Sequence, residues 1–150
     1  MKDVKVAIVG SSESHWAPNQ KVKAILYIHD LLEEMSSSWL YKKVTLVSGG
    51  SPKGGIDIYA EMVADELGLE KEIYYPEVNQ WEDKTLYTIS ILPYEPVKIL
   101  KGYKSRNIQI AEACDVLYCI DPKVRVGGGV FWTYSKAKVL GKEVHHVVID

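Results

Sequence analysis

The chain has 150 residues, which suits a single domain, because chains divide into several domains mainly beyond about 250 residues. Its 47% hydrophobic and 25% charged residues are average for a globular protein and exclude a disordered or low-complexity chain. The formal net charge of −2 lacks the basic excess with which proteins neutralise duplex DNA, so nonspecific nucleic-acid binding is disfavoured. We therefore expect one packed domain over residues 1–150.

The distribution of apolar residues and the positions of the cysteines predict where the protein is located and whether it binds a metal. No stretch reaches the roughly 18 consecutive apolar residues of a membrane span, and charged residues interrupt the first strand pattern, so no signal peptide is evident. We expect a cytoplasmic protein without a membrane partner. Cys114 and Cys119 lie in an apolar stretch without metal-ligand spacing, so we predict reduced buried thiols, no metal and no cofactor.

Strand and helix patterns alternate along the chain. Short apolar, β-branched runs predict strands, and apolar residues at helical spacing predict helices. In chain order we predict a strand at 4–9, a helix at 21–35, a strand at 44–47, a helix at 56–67, a strand at 72–75, a helix at 106–113, a strand at 116–120, a helix at 127–140 and a strand at 144–149. The intervening residues 77–100 contain prolines and aromatic residues without a clean period, and we interpret them as an irregular excursion near the site.

This alternation predicts an α/β fold, a three-layer Rossmann-like sandwich with a mostly parallel five-stranded sheet and helices on both faces. Ligands of such sheets bind beyond the carboxyl ends of the strands, where glycine-rich loops let backbone amides approach an anion. Candidate ligand-binding residues in these loops are Gly10, Ser11, Ser48, Gly49, Gly50, Gly54, Gly55, Asp121, Gly127, Gly128 and Gly129. A single loop of this kind can instead be no more than a tight connection between a strand and a helix. Several of them in one chain favour a phosphate-bearing ligand.

Other side chains add to this candidate site. Arg106 and Asn107 begin a predicted helix, where the guanidinium fork suits a phosphate or carboxylate, with a solvated arginine as the alternative. Asp57 either contacts the ligand or only favours the dipole of its helix. Trp81 and Trp132 either stack on a base or pack in the core.

Two familiar chemistries are not supported. The second glycine loop is neither Gly-x-Gly-x-x-Gly nor a P-loop, which excludes dinucleotide oxidoreduction and nucleoside triphosphate hydrolysis.

Cys119 has no evident base partner, which disfavours a nucleophilic role. His145 and His146 point to opposite faces of the last strand, so at most one faces a site, and we expect neither to have other metal ligands beside it.

Several motifs occur in a specific order. They are VSGGSPKGGID at 47–57, Trp81, GYKSRN at 102–107, AEA-x-D at 111–115 and GGVFWT at 128–133. In this order and spacing the chain resembles the SLOG superfamily, which gathers the Lonely Guy phosphoribohydrolases, the Rossmann core of DNA-processing protein A and small YspA-like proteins. The small YspA-like members are the most similar.

The resemblance implies a nucleotide or nucleotide-derived ligand between the glycine loops and Arg106. It also implies Thr133 as a site residue, because Thr133 takes the position of the glutamate that supports glycosidic cleavage in Lonely Guy enzymes. Cleavage by this chain would therefore need another carboxylate, for which Asp57 and Asp121 are the candidates. A homo-oligomer is expected by resemblance.

Three functions follow as hypotheses. The preferred one is binding of a nucleotide or a related phosphorylated small molecule. The first alternative is a nucleoside 5′-monophosphate phosphoribohydrolase, an N-glycosidase of Lonely Guy type. The second alternative, a nucleic-acid-associated protein like the DNA-processing relatives, is disfavoured by the chain's charge.

Overall fold

The computed structural model of the protein describes residues 2–88, 95–123 and 129–150. Strands and helices alternate as predicted from the sequence, except that two further strands follow the third. The strands are β1 (Lys2–Gly10), β2 (Tyr41–Ser48), β3 (Glu70–Ile73), β4 (Lys84–Thr88), β5 (Glu95–Leu100), β6 (Val116–Pro122) and β7 (Glu143–Ile149). The helices are α1 (Pro18–Ser37), α2 (Ile56–Glu66), α3 (Tyr103–Ala113) and α4 (Gly129–Val139), with a short 3₁₀ turn at Glu13–His15.

Five strands form a parallel sheet in the order β3-β2-β1-β6-β7. β2 and β3 lie on one side of β1, and β6 and β7 lie on the other side. The direction in which strands are added to the sheet therefore reverses at β1. The loops that follow β1 and its neighbours turn away from each other at this point, which creates a crevice at the carboxyl ends of the strands.

Helices cover both faces of the sheet, because the apolar side chains of its strands point alternately to one face and to the other. Val6 and Ile8 of β1 pack on one face with residues of α1 and α2, such as Ile28 and Ala60. On the other face, Ala7 and Val9 of β1 belong to a second cluster that includes residues of α3 and α4. The predicted three-layer fold with a five-stranded parallel sheet is confirmed.

Two predicted boundaries need correction. The third strand lies at Glu70–Ile73 instead of 72–75, because its pairing with β2 begins at Thr45 opposite Glu70. Helix α3 begins at Tyr103, so Arg106 lies one turn inside the helix and not at its start. Residues 127 and 128, where the last helix was predicted to begin, lie outside the described residues.

The excursion at 77–100 is partly regular, contrary to the prediction. β4 and β5 form an antiparallel pair, and the segment before them is joined to α3. The carbonyls of Gln80 and Trp81 accept hydrogen bonds of 2.8 and 3.0 Å from the first backbone N–H groups of α3. A Cβ at Gly102 would lie 2.6 Å from the Gln80 carbonyl oxygen, so only glycine permits this approach. The segment therefore lies against the end of α3 that bears Arg106. None of the described helices is long and apolar enough to cross a bilayer.

Candidate functional site

A cavity of about 220 Å³ opens at the carboxyl end of β1, where the strand order reverses. Its walls come from the loop after β1, the loop between β2 and α2, the first turn of α2, helix α3 and the segment before β4. Six of the residues selected from the sequence line it, namely Gly10, Ser11, Asp57, Arg106, Asn107 and Thr133. The cavity therefore occupies the place in the fold where ligands of open parallel sheets bind.

The guanidinium of Arg106 is fixed in the wall of the cavity. The residue is only 7% exposed, its Nε donates a 2.8 Å hydrogen bond to the Asn107 side chain, and its Nη1 donates to the Gly49 carbonyl. The Tyr103 ring lies 5.4 Å from the guanidinium carbon. Burial lowers the pKa of Arg106, whereas the nearby Asp57 opposes that change. Among the described residues, the hydrogen bonds of the guanidinium come from Nε and Nη1, and Arg106 lines the cavity.

Asp57 contributes a buried carboxyl group to the cavity wall. It lies in the first turn of α2 and accepts a 3.2 Å hydrogen bond from the Ser51 backbone N–H. Burial raises its pKa to about 6, although the charge of Arg106 and the Ser51 N–H both favour the ionised form. A carboxyl group with this pKa can gain or release a proton near neutral pH.

The two glycine loops are held against each other. The Ser11 carbonyl accepts a 3.2 Å hydrogen bond from the Ile56 N–H at the start of α2, and a 3.0 Å hydrogen bond from Nε1 of Trp16. Gly55 has a φ of +84°, and a Cβ there would lie 2.6 Å from the Cα of Ser12. This close approach brings the N-terminus of α2 to the edge of the cavity.

Behind Ser11 lies a group of polar side chains that do not line the cavity. Asp121 is fully buried, and its Oδ1 accepts a 2.7 Å hydrogen bond from the Ser11 hydroxyl. Its Oδ2 lies 3.6 Å from Sγ of Cys119 and 3.1 Å from Nε2 of His146. Burial, followed by the charge of Asp121, raises the pKa of the Cys119 thiol, which disfavours a thiolate nucleophile.

The expectation that neither histidine has other metal ligands nearby is therefore wrong for His146. The register of β6 and β7 places Cys119 opposite His146, so side chains distant in sequence meet on one face. His145 lies on the other face, where it stacks on Tyr118 with 4.6 Å between ring centroids.

The remaining predicted site residues have other positions. Ser48 is fully buried, where its hydroxyl donates a 2.7 Å hydrogen bond to Glu61 and accepts one from the Gly50 N–H. It stabilises the loop and does not line the cavity. Gly54 and Gly55 have positive φ angles in the same loop. Gly129 begins α4, and Gly127 and Gly128 lie outside the described residues.

Several residues of the cavity wall were not selected from the sequence. They are Val9, Ser12, His15, Ser51, Lys53, Tyr103 and Ile110. All but His15 lie in, or next to, motifs that were selected, so widening the selection by one residue would have found them. Trp81 also lines the cavity, and its ring meets that of Trp132 edge to face with 5.3 Å between centroids. The interpretation of Trp81 as a ring that faces a ligand is therefore compatible with its position.

Comparison with known proteins gives a fold relationship. No family model matches the chain, and no match was found among curated proteins. Among solved structures the chain is similar to the molybdenum cofactor carrier protein MCP from Chlamydomonas reinhardtii, with 22% sequence identity and a TM-score of 0.61. The similarity covers 96% of this chain and 76% of that chain. At this level of identity the likeness shows a shared Rossmann-like α/β fold.

Proposed function

We propose that this protein binds a nucleotide, or a related phosphorylated small molecule, in the cavity at the carboxyl end of β1. The observation that carries the proposal is the buried guanidinium of Arg106, which is held by Asn107 and Gly49 and lines the cavity. Placing a guanidinium out of water is unfavourable unless a partner meets it, and phosphate oxygens match its planar donors.

The surrounding backbone suits the same ligand. The N-terminus of α2 carries the positive end of the helix dipole, and Asp57 in its first turn lines the cavity, so this end of the helix lies at the cavity edge. Lys53 adds a positive charge to the wall of the cavity. These features favour a phosphate close to Arg106 and to the start of α2.

Aromatic side chains suit the rest of a nucleotide. Trp81 and Tyr103 line the cavity, and flat rings stack favourably on a heterocyclic base. The cavity therefore combines an anion-binding wall with an apolar, aromatic one. The similar solved structure is named as a carrier of the molybdenum cofactor, which supports the binding of a small molecule by this fold.

The proposal includes the wider predictions from the sequence. We place the chain in the SLOG superfamily, among its small YspA-like members, as one domain over residues 1–150. We expect a cytoplasmic homo-oligomer whose partner is the small molecule and not a nucleic acid. The net charge of −2 supports the last expectation.

The position of Asp57 favours a second candidate function, N-glycosidic cleavage of a nucleoside 5′-monophosphate. Of the two carboxylates considered, only Asp57 lines the cavity, and its pKa of about 6 suits proton transfer or stabilisation of an oxocarbenium-like centre. Asp121 does not line the cavity and is engaged by Ser11, Cys119 and His146.

A thermal-shift screen with product analysis tests both functions. The panel pairs nucleoside mono- and diphosphates with the corresponding nucleosides and includes dinucleotides and the molybdenum cofactor. A phosphorylated ligand that binds the folded state raises the melting temperature, and its nucleoside counterpart does not. Recovery of the intact ligand supports binding. Release of free base that Asp57→Asn abolishes supports cleavage. A panel without any phosphate-dependent stabilisation contradicts the proposal.

A further inference from the structure

We propose that Cys119, Asp121 and His146 form a binding site for a zinc-like divalent cation, next to the cavity but independent of its ligand. One ligand atom from each side chain lies within 4.8 Å of the others. Two of the residues come from β6 and one from β7, so the paired strands of the sheet hold them in place. The proposal requires nothing of the nucleotide site and extends beyond it.

The distances match the ligand spacing of a tetrahedral metal. With zinc bonds of about 2.3 Å to sulfur and about 2.0–2.1 Å to nitrogen and oxygen, neighbouring ligand atoms lie about 3.3–3.6 Å apart. In the structure Oδ2 of Asp121 lies 3.6 Å from Sγ of Cys119 and 3.1 Å from Nε2 of His146, and Sγ and Nε2 lie within 4.8 Å of each other. Two of the three spacings are therefore close to those of a tetrahedral site, and the third needs at most a movement of about 1 Å.

The charge balance of the cluster also favours a cation. Asp121 is fully buried, and within the described chain no lysine or arginine pairs with it. Its partners are a hydroxyl, a thiol and the imidazole of His146, which forms an ion pair with it only when protonated. A buried carboxylate is stable only when it is paired or coordinates a metal, and a divalent cation bound by the neutral imidazole would supply that positive charge.

The ligand types select the class of metal. Thiolate and imidazole ligands favour zinc and similar transition metals, whereas magnesium and calcium prefer oxygen ligands. The Ser11 hydroxyl on Oδ1 of Asp121 is the kind of outer contact that orients a coordinating carboxylate. The rings of Phe131 and Tyr134 lie near the His146 ring and provide an apolar boundary.

The test titrates the chelator-treated full-length protein with Co²⁺ and follows thiolate-to-cobalt charge transfer, then displaces Co²⁺ with Zn²⁺. The proposal predicts one Co²⁺ per chain, a charge-transfer band, a higher melting temperature with Zn²⁺ and no response to Mg²⁺. Cys119→Ser should abolish the band, and His146→Gln should weaken binding at least about tenfold. Ser11→Ala should weaken it about tenfold.

Matched variants distinguish this site from other side chains of the protein that could bind Co²⁺. Cys114→Ser removes the other buried thiol, and His145→Gln alters the neighbouring histidine on the opposite face, so both should bind Co²⁺ normally. His29→Gln tests the exposed cluster of His29, Asp30 and Glu33 and should also have no effect. His146 is partly exposed, so His146→Gln should fold even if Cys119→Ser does not. Absence of the charge-transfer band in the parent protein, or unchanged binding by His146→Gln, would overturn the proposal.

Discussion

Asp57 and Arg106 carry opposite charges and both approach Gly49 on the side where a Cβ would project. A Cβ at Gly49 would lie 2.9 Å from Oδ2 of Asp57 and 2.8 Å from Cζ of Arg106. The two groups belong to different helices, α2 and α3, that follow β2 and precede β6. Their proximity therefore depends on the absence of a side chain at one position in the loop between β2 and α2.

Gly49→Ala should weaken ligand binding more than it weakens the fold. The added methyl group would displace the Arg106 guanidinium from its place beside the Gly49 carbonyl, and with it the charge-assisted contact to phosphate. Loss of such a contact reduces affinity by about 1.5–3 kcal/mol, which is about 10- to 150-fold. Calorimetric titration with the phosphorylated ligand found in the screen measures this change.

Gly68→Ala is the matched control for that experiment. Gly68 has a φ of +70° and no heavy atom within 4 Å of an added Cβ, so this substitution brings backbone strain without a steric contact. It should lower the free energy of unfolding by about 1 kcal/mol and leave affinity unchanged. Equal affinities for Gly49→Ala and the parent protein would contradict the assigned role of this loop.

Trp81→Ala should selectively weaken binding of ligands that carry a base. Stacking on an aromatic side chain contributes about 1–3 kcal/mol per base, which corresponds to about 5- to 150-fold in affinity. Ribose 5-phosphate should bind the variant and the parent equally. Trp39, which is 80% exposed and remote from the cavity wall, provides the control substitution Trp39→Ala. An equal loss of affinity for ribose 5-phosphate would show that Trp81 only shapes the cavity.

Asp57→Asn should stabilise the protein at neutral and alkaline pH. The pKa of Asp57 is raised from 3.8 to about 6 by burial, so between these values the folded protein retains a proton that the unfolded chain has released. Ionisation of Asp57 in this range therefore lowers the free energy of unfolding as pH rises. Asparagine cannot ionise, and the variant should gain at most about 3 kcal/mol at pH 8.

Urea denaturation at several pH values measures this effect. The gain of Asp57→Asn should be absent below about pH 3, where the carboxyl is protonated in both states. Asp65→Asn replaces a carboxylate on the same helix that pairs with Lys71 and is 61% exposed, and it should give no stabilisation at pH 8. A variant Asp57→Asn that is less stable than the parent protein at pH 8 would contradict the account.

The fold could be predicted from local patterns because its elements are strongly periodic. Buried parallel strands such as β1 are continuous apolar runs, and α2 places Ala60, Val63 and Ala64 on one buried face. The glycine loops directly follow these apolar runs, so their positions predicted the carboxyl edge of the sheet. The cavity therefore lies where the sequence predicted a ligand.

The details that sequence did not reveal depend on contacts between distant segments. Only the register of β6 and β7 places His146 beside Cys119 and Asp121, and neither strand carries a recognisable metal spacing by itself. The irregular composition of 77–100 hid the hairpin of β4 and β5, whose preceding segment holds the start of α3 through Gly102. Ser48 lies in the predicted glycine loop, but its hydroxyl donates a hydrogen bond to Glu61 and does not line the cavity. Its position in the sequence does not indicate this contact.

The most direct test of the account is a double-mutant cycle on the phosphate contact. Affinities of a bound nucleotide and its dephosphorylated nucleoside are measured calorimetrically for the parent protein and for Arg106→Gln. Lys104→Gln, on the same helix but outside the cavity wall, is the control for loss of positive charge. The account predicts that the phosphate contributes about 10- to 150-fold in the parent protein and in Lys104→Gln, and almost nothing in Arg106→Gln. An equal phosphate contribution in Arg106→Gln and the parent protein would contradict it.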